Sequence, residues 1–411
     1  MNQKTETIII GSGQAGLATS YYLKQKSCEH IVLEQAAQAG NAWRNQRWES
    51  FTLNTPNWSI RLPGMEYQGD APNGFMVRDD IVATFEQYID LFHLPITYQA
   101  QVTSIEPMAK GDGYTVRTGE TRVECRNVVI ATGLFQAPRK PSQSANISAH
   151  INQLHSSQYR NPDQLPPGGV LVVGSAQSGC QIAEELYQSG RKVHLCVGSA
   201  GRVPRRYRGK DIFEWMLLSG FLDRTVEMLP NPKARFAGNP HVSGRDGGRS
   251  LNLHQFTRDG VVLLGRFLGA QGGTIYLAPD LKQTLAKVDQ VEIDLVKMVD
   301  DYIAKSDLDA PVESLPVLRD GYEVEEITTL NLSSAGITSI IWASGYSFNF
   351  GLVKLPVLDQ DGFPISKRGV TAYTGLYFIG LPWIYKMKSG LLLGVGEEAD
   401  FITGVIAARD K

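Results

Sequence analysis

The chain has little of what marks disulfide-bonded, metal-bound, membrane or nucleic-acid-binding proteins. Its four cysteines, Cys28, Cys125, Cys180 and Cys196, lie far apart and form no C-x-x-C pair. That spacing excludes a disulfide framework, a zinc knuckle and a dithiol redox centre, and leaves isolated thiols with no metal site expected. Net charge is only −2 over 411 residues, so no excess of one sign points to nucleic acid or an anionic membrane. The most apolar late stretch, 374–395, is broken by Pro382, Lys386 and Lys388, which removes it as a membrane span. A strand pattern begins by Thr5 and leaves no signal peptide, so the expected location is the cytoplasm.

Glycine is what the chain has in excess: 41 residues, about a tenth of the total, against a usual ~7%. With 42% apolar and 20% charged residues the rest of the composition is globular. The glycines therefore point to tight turns and close backbone approach to ligands. The length fits two or three domains.

Thr7-Ile8-Ile9-Ile10 reads as a strand buried on both faces of a parallel sheet. It runs into Gly11-Ser12-Gly13-Gln14-Ala15-Gly16, then a helical pattern, then the strand His30-Ile31-Val32-Leu33 ending at Glu34. Glu34 stands 23 positions after Gly11, near the separation of about 20 expected of a dinucleotide fingerprint. Gly11 permits the tight turn, Gly13 admits a pyrophosphate, and Gly16 lets helix and strand pack closely. The helix N-terminus, from Gln14 and Ala15 onward, offers N–H groups to phosphate, and Glu34 offers an acceptor to a ribose.

A second copy follows Val170-Leu171-Val172-Val173 at Gly174-Ser175-Ala176-Gln177-Ser178-Gly179. Here the middle glycine is Ala176, and the position equivalent to Glu34 is Val197. Ser199, Arg202, Arg205, Arg206 and Arg208 come next, a cluster suited to the 2′-phosphate of NADPH through charge-assisted hydrogen bonds; the alternative is a solvated basic loop. Two unlike sites imply two cofactors exchanging electrons, FAD at the site with the acid and NADPH at the site without it. The fold class expected is α/β with two Rossmann-like domains. Residues 1–165 and 325–411 form the FAD domain in this reading, and 166–324 the inserted NADPH domain. A proline–glycine linker at 161–169 marks the first boundary.

These residues resemble the flavin-containing monooxygenases, the class B single-component FAD/NADPH enzymes that include plant-type indole-pyruvate monooxygenases and short bacterial relatives. Ala131-Thr132-Gly133 looks like the turn joining the two domains on the outward crossing, and Ala343-Ser344-Gly345 like the return. Gly380 and Leu381 resemble the closing FAD strand, and Ala39-Gly40-Asn41-Ala42-Trp43-Arg44 the family's G-G-x-W segment. The signature F-x-G-x-x-x-H-x-x-x-[YW] is half present, in His155 and Tyr159, with Ala149 and Ile151 where Phe and Gly stand in the family.

The resemblance implies reduction of FAD by NADPH, addition of O2 at flavin C4a, and transfer of one oxygen atom to a small-molecule substrate. It aligns Asn54 with an active-site asparagine, although Asn54 before Pro56 also suits an Asx-turn. Trp383 is placed near the flavin, as is the start of the last helix around Leu391, whose N-terminus would stabilise negative charge. Lys386 and Lys388 either add to that stabilisation or face solvent. The segment 202–278 reads as a lid or substrate-binding insertion, or as a homodimer contact, and 279–303 as an amphipathic helix with one or two breaks. Two rival functions stand beside the monooxygenase: an NADPH:acceptor oxidoreductase that inserts no oxygen, and a non-enzymatic FAD-bound sensor.

Overall fold

Short apolar runs ending in glycine form the centres of two sheets in the computed structural model, which describes residues 2–109 and 111–409. The first sheet contains β1 (Asn2–Ile10), β2 (His30–Leu33), β3 (Ile96–Thr97), β4 (Val102–Pro107), β5 (Tyr114–Thr118) and β6 (Thr121–Ile130). Their order is β3-β2-β1-β6-β5-β4, and a late strand, Leu376–Phe378, pairs in parallel with the end of β6. β1 lies parallel to both neighbours, with Ile8 opposite Ile31 on one side and Val128 on the other. Helices cover its faces, so Ile8 and Ile9 are fully buried; each such side chain contributes about 1.5–3 kcal/mol. The first helices of this unit are α1 (Gln14–Gln25), α2 (Asn41–Asn45) and α3 (Arg78–Phe92).

The second sheet is wholly parallel. It comprises β7 (Asn152–His155), β8 (Gly169–Val173), β9 (Val193–Cys196), β10 (Val262–Leu264) and β11 (Ile337–Trp342), in the order β7-β11-β8-β9-β10. β7 and β11 lie outside 166–324, so the second sheet draws chain from beyond both expected boundaries. The chain crosses between the sheets along two segments that pair antiparallel, Tyr346 with Pro138 and Ser347 with Ala137. α4 (Gln177–Gln188) follows the second glycine turn.

The segment 202–278 is more than an appendage, because it supplies β10. It also carries α5 (Ile212–Leu218), whose Trp215 packs with Leu222, Val242 and the apolar stripe of α6 (Leu281–Ser306). α6 is one continuous helix without the expected breaks. No proline or glycine interrupts it, and the gap in its apolar stripe at Asp289 and Glu292 receives the Arg202 guanidinium. α7 (Val395–Arg409) closes the first unit by packing Val395, Ala399, Ile402 and Ile406 with Ala15 and Ala18 of α1. Among the described residues no helix is long and apolar enough to cross a membrane.

Candidate active site

The first glycine turn is built from three different constraints. Gly11 has φ +102°, and a Cβ there would stand 2.7 Å from the Ala131 carbonyl oxygen. A Cβ on Gly16 would stand 1.9 Å from the carbonyl oxygen of Gly11, so helix and turn touch backbone to backbone. Gly13 differs: its φ of −79° suits any residue, and nothing lies within 4 Å of a Cβ built on it. Gly13 is also the N-cap of α1 and has no capping side chain. An uncapped helix N-terminus facing open space fits the pyrophosphate of FAD.

Glu34 is buried and braces this turn. One carboxylate oxygen accepts from the Ser12 N–H and hydroxyl, both at 2.8 Å, and the other accepts from Ala36 N–H at 2.9 Å. The closing segment sits on the same helix end. Gln14 donates to the Gly390 carbonyl at 2.6 Å, and Gly380, at φ +79°, lies so close that a Cβ would be 2.5 Å from that of Ala15. Leu381 is buried and Leu391 follows Gly390. The Thr132 hydroxyl accepts from Gln136 at 3.0 Å, while the space beside Gly133 is open.

On α2, Arg44 pairs with Glu86 at 2.7 Å, and the Trp43 ring lies 5.9 Å from that of Phe51. Between them and the crossing segments sits Arg47, which the sequence reading passed over. Its guanidinium is 4.1 Å from the Phe135 ring centre and 5.5 Å from Trp43 and Phe51. Burial lowers its pKa, with Tyr346 opposing. No spacing rule signals such a residue.

The second turn repeats the first. A Cβ on Gly174 would lie 2.6 Å from the Ala343 carbonyl oxygen, and one on Gly179 would lie 1.8 Å from that of Gly174. Ala176 caps α4 with extended backbone and no side-chain hydrogen bond. Ser175 takes the part of Ser12, but its hydroxyl accepts from the Gly198 N–H at 2.9 Å rather than donating to an acid. Val197 is buried and Ser199 exposed.

The arginines have other partners than a nucleotide. Arg202 donates to Glu292 at 2.9 Å through Nε and also pairs with Asp289. Arg205, almost fully buried, donates to Asp211 at 2.6 Å and to the Asn54 carbonyl at 2.7 Å. Arg206 is exposed and donates to the carbonyls of Gly247 and Gly248. Residues 238–242 run over the turn: a Cβ on Gly238 would be 3.6 Å from that of Ala176. Gln177 accepts from Val242 N–H at 2.8 Å. Beside it His241 is fully buried, and burial with the Arg202 charge pushes its pKa down to about 3. Ser178 lies in the first turn of α4.

Asn54 stands where the two units meet. Its side-chain oxygen accepts from Gln181 of α4 at 2.5 Å, so it is not engaged in an Asx-turn. A polar cavity beside it is lined by Trp48, Ser50, Thr52, Gln181, Glu184, Ser243 and Arg245. Burial raises the Glu184 pKa, opposed by Arg249. Trp383 has a left-handed backbone, φ +58°, and its ring faces Arg224 at 5.9 Å. Lys386 and Lys388 both pair with Asp223 and Glu397 at 2.6–2.9 Å, so the two carboxylates balance their charge. His155 accepts from Ser157 N–H at Nδ1, which leaves Nε2 to donate to the Gly345 carbonyl at 3.0 Å. It thereby pins the return crossing.

Two glycine turns with uncapped helices, one braced by an acid and one by a backbone N–H, define an oxidoreductase that uses a flavin and a nicotinamide dinucleotide. Residues 8–211 match the family model described as pyridine nucleotide-disulphide oxidoreductase, although the sequence has no C-x-x-C pair. The chain is 33% identical to the oxidoreductase CzcO-like of Geobacillus kaustophilus over 98% of both chains. It is 27% identical to the probable indole-3-pyruvate monooxygenase YUCCA3 of Arabidopsis thaliana, over 50% of this chain and 49% of the other. Its fold matches a flavin-containing monooxygenase from Stenotrophomonas maltophilia with a TM-score of 0.67, at 18% identity over the whole of both chains. The chain belongs to the CzcO-like oxidoreductases and is an FAD-dependent NADPH oxidoreductase.

Proposed function

We propose that this protein is a single-component monooxygenase acting on a small nucleophilic substrate. The second turn, Gly174 to Gly179, would hold NADPH and the first, Gly11 to Gly16, would hold FAD; with a proton from solvent the two cofactors would supply the electrons that let one atom of O2 pass to the substrate while the other is reduced to water. The observation that carries this reading is Asn54, an amide of the first unit that is held by Gln181 and Arg205 of the second. Its free N–H groups can donate to developing negative charge without delivering an acidic proton. Trp43, Phe51, Phe135 and Tyr346 gather around the Arg47 guanidinium, and in this reading their aromatic surface would shield the flavin's oxygen chemistry from water.

Preference for NADPH over NADH follows, in this reading, from Val197, which gives a free 2′-hydroxyl no acceptor, and from the exposed Ser199 beside it. Arg202 and Arg205 hold structure together instead. The test is stopped-flow spectroscopy of enzyme reduced with NADPH and then mixed with oxygen. A transient with a single blue-shifted flavin band supports the monooxygenase. Immediate return of the oxidised two-band spectrum supports an oxidoreductase that hands electrons to another acceptor, and failure of NADPH to reduce the flavin supports a sensor.

A further inference from the structure

Gln181 is almost fully buried on α4, 127 residues from Asn54 in sequence. Its side-chain nitrogen donates twice, to the Val242 carbonyl at 3.0 Å and to the Asn54 side-chain oxygen at 2.5 Å. The first of these bonds settles the orientation of both amides. A main-chain carbonyl can only accept, so the nitrogen of Gln181 must face Val242. The second hydrogen of that NH2 group then points at Asn54, and the atom it meets must be the oxygen. Val242 is itself fixed, since its N–H donates to Gln177 at 2.8 Å.

The main chain of Asn54 is held from the same side. Arg205 donates to its carbonyl at 2.7 Å, and Arg205 is secured by Asp211 at 2.6 Å and by the Phe75 ring at 4.7 Å. With the side-chain oxygen occupied, Nδ2 of Asn54 has no hydrogen-bond partner among the described residues.

We propose that Gln181 is a positioning residue that sets the polarity of the Asn54 amide, so that Asn54 presents N–H donors and no lone pair to the cleft. This rests on the reading that Asn54 faces the flavin. The inverted amide would turn a carbonyl oxygen toward developing negative charge and repel it. The polarity thus originates in the Val242 carbonyl of the 202–278 segment and passes through a helix of the second unit.

The test uses ¹⁵N-labelled holoprotein, three single variants and one double variant. The Asn54 side-chain NH2 resonances are identified by their loss in Asn54→Ala. In Gln181→Met, which keeps the volume and removes the donor, those resonances are expected to move. Peroxide release from NADPH-reduced enzyme in air is expected to rise about tenfold, the worth of one hydrogen bond of about 1.4 kcal/mol, with the KM for NADPH unchanged. Gln181→Glu offers only acceptors and draws the Asn54 N–H groups toward itself, so it should release peroxide faster still. In the Asn54→Ala background Gln181→Met should add nothing, since both changes remove the same interaction.

An unmoved resonance in Gln181→Met, or additive effects of the two changes, overturns the proposal while leaving the reading of Asn54 intact. Unchanged peroxide release in Asn54→Ala removes that reading and the proposal with it.

Discussion

Alanine at position 13 adds one methyl group where the protein itself offers no obstacle. Gly13 has φ −79° and ψ −178°, and nothing lies within 4 Å of the new Cβ. Without cofactor, Gly13→Ala should raise stability by about 0.4–1 kcal/mol, because the unfolded chain loses freedom while the folded one gains no strain. With FAD the same methyl stands where the pyrophosphate approaches the N-terminus of α1. Losing one charge-assisted hydrogen bond there costs about 1.5–3 kcal/mol, roughly a ten- to hundredfold weaker affinity. Gly16→Ala is the control, because its Cβ would sit 1.9 Å from the Gly11 carbonyl oxygen. Only prying α1 from the turn relieves that overlap, so little folded protein is expected. Thermal unfolding of the flavin-free proteins and fluorescence titration with FAD separate the effects. A Gly13→Ala protein that keeps full flavin with an unchanged dissociation constant would refute this placement of the pyrophosphate.

Arg202→Ala should destabilise the fold by about 3–5 kcal/mol, because it leaves Asp289 and Glu292 facing a buried gap; denaturant unfolding measures this, and reduction rates should change equally for NADH and NADPH. Stability should fall between pH 6.5 and 5. His241 and His194 have folded pKa values of about 3 and 4, below the ordinary 6.5, so the unfolded chain takes up their protons first. Each costs about 2 kcal/mol by pH 5, and a urea midpoint that stays constant over that range would contradict their burial as neutral rings. Bound NADPH should slow amide exchange in 238–242, which lies over the second turn; unchanged exchange there on saturation would place the nucleotide away from Ala176.

Both dinucleotide turns were legible because their constraints are local. A strand, three small residues and a helix fall within about fifteen positions, and each glycine has a separate steric reason that spacing alone reveals. The strands β7 and β11 were not legible as members of the second sheet. Parallel strands are joined by long crossings, and neither carries a local mark of its partner. The arginines show the limit most clearly. A basic cluster beside the ribose position predicts phosphate contacts, yet the carboxylates that take Arg202 lie about ninety residues away on α6. The contact between Gln181 and Asn54 is equally remote in sequence, and nothing short of the fold brings the two together. No local pattern marks Asn54, whose side-chain oxygen bonds to Gln181 and not to its own turn.

Electron flow from the second dinucleotide site to the first is tested most directly by mixing the FAD-loaded protein with equimolar NADPH in the absence of oxygen. The account predicts complete bleaching of the oxidised-flavin band, faster than with NADH. A flavin that stays oxidised in the presence of NADPH would contradict it.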